Sequence, residues 1–67
     1  MKITYDKEAD AMYIRFSDAS FGKNKIIDDN TILDLDAEGK IIGIELLDVS
    51  KRMPEHFFKS ISVENLS

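Results

Sequence analysis

Apolar and polar residues alternate along most of this chain with a period of two, the spacing of a half-buried β-strand rather than of a helix. Ile3 and Tyr5 alternate with Lys2, Thr4 and Asp6, which predicts a first strand. After a polar turn at Asp6-Lys7-Glu8-Ala9-Asp10, the run Ala11-Met12-Tyr13-Ile14-Arg15-Phe16 sets Met12, Ile14 and Phe16 on one face and Tyr13 and Arg15 on the other. A helix from Lys7 to Tyr13 is the competing reading. The aromatic and β-branched residues from Tyr13 to Phe16 favour the strand, and hence a hairpin.

Ser17 to Asn24 is rich in turn formers and carries one large apolar residue, Phe21, expected to tuck under the sheet edge. Lys25-Ile26-Ile27-Asp28 reads as a short edge strand, its charges discouraging further pairing. Asp29-Asn30 then offers a turn or bulge. The cleanest alternation follows, in Thr31-Ile32-Leu33-Asp34-Leu35-Asp36 and in Ile42-Gly43-Ile44-Glu45-Leu46, joined through Ala37-Glu38-Gly39-Lys40. A three-residue loop would set Asp34 opposite Ile42. A four-residue loop sets Leu35 beside Ile42 and Leu33 beside Ile44, and burial selects it, because a one-residue slip exchanges the two faces.

On that register Leu33, Leu35, Ile42, Ile44 and Leu46 face inward. Ile32, Asp34, Asp36, Ile41, Gly43, Glu45 and Leu47 face outward. Ile32, Ile41 and Leu47 side by side would make an apolar patch, the mark of a contact site. Beyond Asp48 the period breaks. Ser50 is placed to cap a turn through Met53, and Pro54 to open a second helix reaching about Lys59. Of the adjacent Phe57 and Phe58, one can enter a core. Ser60 to Glu64 alternates weakly, as a last strand or a tail. The expected architecture is α+β: a small antiparallel meander of about four strands with a short C-terminal helix, in one domain over residues 1–67.

Composition narrows what such a sheet can do. At 67 residues the core is marginal, and small domains usually add a disulfide, a metal or a partner. The absence of cysteine removes disulfides and thiolate zinc sites. Thirteen acidic against nine basic residues argue against direct nucleic-acid binding and suit a basic protein partner. No apolar run approaches the roughly 20 residues of a membrane span, and the first residues lack a secretory apolar segment, so a cytoplasmic setting is expected.

One acidic stretch matches much of a calcium-loop pattern: Asp34, Asp36, Glu38 and Gly39, then Glu45. Hard oxygen ligands at alternate positions with a glycine bend are sensible calcium chemistry. Glu38 is longer than that loop wants, Ile42 is apolar where it is polar, and the flanks have strand rather than helix periodicity. An acidic hairpin yields the same letters, so metal binding stands as the alternative and no cofactor is expected. His56 has neither a nucleophile nor further ligands nearby in sequence and reads as a helix-surface residue. The carboxylates are expected to be solvated, and no catalytic residue stands out, so an enzyme is not expected.

The run Tyr5-Asp6-Lys7-Glu8-Ala9-Asp10-Ala11-Met12-Tyr13-Ile14-Arg15-Phe16 resembles the DUF2283 family, a domain of unknown function. So do Asp29-Asn30-Thr31-Ile32-Leu33-Asp34-Leu35-Asp36, Gly39, Gly43-Ile44-Glu45-Leu46-Leu47-Asp48 and Ser50-Lys51-Arg52. The likeness covers residues 1–52 and leaves 53–67 as a helix and tail. It implies small single-domain proteins without assigned catalytic residues, some encoded beside a small toxin-like protein. That implies an antitoxin-like role, with the chain binding itself or a basic protein such as a toxin.

Overall fold

In the computed structural model, residues 1–54, 56–60 and 64–65 are described. Five antiparallel strands form the sheet: β1 (Lys2–Asp6), β2 (Ala11–Arg15), β3 (Lys23–Asp28), β4 (Thr31–Leu35) and β5 (Ile41–Leu46). Two single-turn helices follow, α1 (Val49–Arg52) and α2 (Phe57–Ser60), then β6 (Glu64–Asn65), which lies parallel to β1. The spatial order is β3-β4-β5-β2-β1-β6. The antiparallel sheet and short helix match expectation, with one strand more than the four predicted. Only β3-β4-β5 is a meander. β2 skips both its successors and pairs with β5, so a hairpin and a meander are joined along one seam.

The register divides the side chains by face. Ile3, Ile14, Ile44 and Leu33 lie in one row across four strands, and Tyr5, Met12, Leu46 and Thr31 in another on the same side. This is the inner face. Phe58 of α2 packs on Tyr5 with ring centroids 4.8 Å apart, and Phe57 meets Phe58 edge-on at 5.3 Å. Of the two, Phe57 is half-buried and Phe58 more exposed. Val49 of α1 is fully enclosed.

The central hairpin differs from its expected form in an instructive way. Its loop has three residues, not four: the Asp36 amide donates to the Lys40 carbonyl at 2.9 Å. Gly39 takes φ 86°, a left-handed conformation that costs glycine little. The Asp36 carboxylate fixes the loop by accepting from the Glu38 and Lys40 amides, both at 2.9 Å. An irregularity in β5 then sets Leu35 against Ile41 while Asp34 stays opposite Gly43, so Ile42 is the extra residue. The bulge restores the expected Leu33–Ile44 pairing despite the shorter loop.

Two clamps hold α1. Asp10, at φ 51°, closes the β1–β2 turn and reaches across the fold. Its carboxylate accepts from the Tyr5 hydroxyl at 2.6 Å, the Ser50 hydroxyl at 2.7 Å and the Ser50 amide at 3.1 Å. Its carbonyl accepts from the Val49 amide at 3.1 Å. Ser50 was expected to cap this helix. Instead it is the capped residue, because Asp48 at the helix start makes no side-chain cap and a carboxylate forty residues away takes over. On the opposite side Arg52 donates to the carbonyls of Asn30 (2.6 Å) and Leu47 (3.3 Å) and to the Thr31 hydroxyl (2.8 Å). The second helix begins at Phe57 rather than Pro54. His56, expected on its surface, is exposed just before it. Of the tail, Glu64-Asn65 forms the short parallel strand, and Ile61 to Val63 lie outside the described residues.

Candidate interaction surface

The outer face carries a polar network that alternation alone does not announce. Asn24 of β3, Asp34 of β4, Gly43 of β5 and Arg15 of β2 share one row, with Tyr13 and Glu45 in the next. Asp34 is 9% exposed, not solvated as expected. The Asn24 amide gives it a hydrogen bond of 2.6 Å, and the Tyr13 hydroxyl and the Glu45 carboxyl are its other hydrogen-bonding neighbours.

Gly43 makes this possible, because a Cβ there would collide with the Tyr13 ring. The absent side chain lets the ring lie across β5 toward β4. Four neighbouring strands are thereby joined through one carboxyl group.

Burial, with Asp34 beside it, pushes the Glu45 carboxyl above its ordinary value of 4.5. Burial and the bond to Asp34 raise the Tyr13 phenol likewise. Asp10 and Asp28 move down from 3.8. Asp10 does so first through the Tyr5 hydroxyl, and Asp28 first through the Asn30 amide, which donates to it at 2.8 Å. The signs oppose each other. As the pH rises past 4.5 the unfolded chain loses the Glu45 proton before the folded one does, so stability falls until the folded carboxyl also ionises. Asp10 and Asp28 contribute stability that is present above 3.8 and lost as the pH falls through their lowered folded values. Melting temperature should therefore peak in weak acid, and Glu45→Gln should flatten the decline toward neutrality. Parallel melting curves for the variant and the parent across that range would refute this.

Of the four residues of the calcium-like pattern only Asp34 and Glu45 meet, in the network above. Asp36 is engaged by its own loop, and Glu38 lies 3.5 Å from Lys40. Among the described residues no three His, Cys, Asp or Glu side chains are grouped to hold a metal ion.

The apolar trio is also dispersed. Ile32 lies opposite Glu45 and is half-buried, and half-buried Leu47 donates its amide to Asn30 at that same end. Ile41 is 50% exposed at the other end, opposite Leu35. There it has different company. Phe16 bonds through its amide to the Ile42 carbonyl at 2.8 Å, and Gly22, next to Phe21, bonds to the Leu35 carbonyl at 2.7 Å. Phe21, expected under the edge, is 59% exposed, because the chain turns into β3 without folding back over the sheet. Phe16, Phe21 and Ile41 thus all lie toward the loop end of the sheet. Sequence reading missed this grouping because it depends on the β2–β5 pairing.

Among the described residues no helix is long and apolar enough to cross a membrane. No curated protein and no solved structure matches the chain. A family model described as "Protein of unknown function (DUF2283)" matches residues 2–50, which take in the hairpin, the meander and the Asp10–Ser50 clamp. The chain therefore belongs to the DUF2283 family.

Proposed function

We propose that the protein is a non-enzymatic association module whose apolar loop end is covered by another polypeptide, either a second copy or a basic partner. The observation that carries this reading is the imbalance between core and surface. Among the described residues four apolar side chains are buried, Met12, Leu35, Ile42 and Val49, while Phe16, Phe21 and Ile41 stand well exposed at one end. Burying a large apolar side chain fully stabilises by about 1.5–3 kcal/mol. Covering three of them partly is then comparable with the roughly 3–5 kcal/mol that so small a core supplies. The net charge of -4 favours a basic partner, in line with the antitoxin-like role that the family resemblance implies.

Sedimentation velocity over a range of concentrations tests the reading, alone and with the proteins retained on immobilised protein from its own host. A species heavier than 7.6 kDa is expected. Phe21→Ser with Ile41→Ser should abolish it while leaving the melting temperature within a few degrees, since both residues are exposed. A monomer at every concentration that retains nothing would refute the reading.

A further inference from the structure

A sheet edge presents unpaired backbone groups that can template another strand. Here β1 is covered by β6, whereas β3 has no outer neighbour among the described residues and all six of its residues are exposed. The regular part of this edge is Lys23–Ile26, because the ladder slips between Ile26 and Asp28 and leaves Ile27 as a bulge. Lys23 and Lys25 lie opposite Leu35 and Leu33, on the inner side. Asn24 and Ile26 lie opposite Asp34 and Ile32, on the outer side. Ile26 is 73% exposed.

This pattern disfavours the strand's own copy. A two-fold copy extending the sheet runs antiparallel and must pair residues that share a face. Centred on Lys25, it sets Lys25 against Lys25. Centred on Asn24, it sets Lys23 against Lys25. Either places like charges directly opposite, about 5 Å apart at Cβ, which destabilises the pair. Centred on Ile26, it meets the bulge after one residue. The same two ammonium groups suit a strand whose carboxylates fall at alternate positions.

We propose that the β3 edge binds an extended acidic segment by strand addition, its alternate carboxylates facing Lys23 and Lys25 and an apolar residue lying by Ile26. This edge begins beside the apolar loop end, Lys23 lying in the row of Leu35 and Ile41, but it takes a different occupant and is tested by different variants, so the two readings can fail independently.

An NMR titration of the full chain tests it, with an eight-residue peptide alternating glutamate and valine and a second in which lysine replaces glutamate. The acidic peptide should bind and slow amide exchange within Lys23–Ile26, and the basic one should not. Lys23→Glu with Lys25→Glu should weaken the acidic peptide about tenfold and make the basic one bind, which also shows that the variant is folded. Binding of neither peptide, equal binding of the acidic peptide to the double variant, or binding without slowed exchange at β3 would each overturn the proposal.

Discussion

Met12→Ala should leave the chain largely unfolded. Met12 is 1% exposed and lies in a row between Tyr5 of β1 and Leu46 of β5, so it bridges the hairpin and the meander. Truncating a buried methionine costs about 2–5 kcal/mol, from lost apolar transfer and from the cavity left behind. A core with four buried apolar side chains among the described residues cannot absorb that when so small a domain holds about 3–5 kcal/mol. Met12→Leu, which nearly conserves volume, should cost less than about 1.5 kcal/mol. Urea unfolding of both variants provides the measurement. Equal and small losses would show that the seam is held by something other than this side chain.

Gly22→Ala should be the most damaging change to a loop residue. Its amide donates to the Leu35 carbonyl at 2.7 Å, which draws the two backbones together where β3 begins. A Cβ at this position would stand 2.6 Å from both the carbonyl carbon and the carbonyl oxygen of Asp36, and 2.7 Å from the Ala37 nitrogen. All three are backbone atoms, so no side-chain rotation relieves the overlap. The expected loss is about 1–3 kcal/mol, the usual cost of overpacking. Lys23→Ala next door, at an exposed position, should stay within about 0.5 kcal/mol of the parent. Thermal unfolding of the pair checks this, and an unchanged Gly22→Ala protein would mean that the two segments are not in such close contact.

What could be read from the residues, and what could not, follows from how local each feature is. The hairpins β1–β2 and β4–β5 are legible because alternation and a turn lie within a dozen residues of each other. The pairing of β2 with β5 was not, since nothing in Tyr13 or Arg15 names Glu45 or Gly43 as a neighbour. Once that seam is unknown, the Phe16–Phe21–Ile41 grouping is hidden too. So is the reason Asp34 can be buried, since its polar neighbours come from three other strands. The family likeness was visible in local strings such as Tyr5–Asp10 and Ser50-Lys51-Arg52, yet the contacts that use them are not local: Asp10 with Ser50, and Arg52 with Asn30 and Thr31. The expected four-residue loop and the observed three-residue loop predict the same faces only because Ile42 bulges. Letter patterns do not show a compensation of that kind.

The seam between β2 and β5 also bears on how the molecule assembles. Each half is built from neighbours in sequence and can organise early, whereas joining them requires closing the long excursion from Phe16 to Ile42, so docking of the halves is the natural slow step. Backbone bonds pin that junction at both ends, Phe16 to Ile42 at one and Val49 to Asp10 at the other. Opening it means releasing two latches together, and on heating the hairpin and the meander should separate as a unit rather than fray strand by strand.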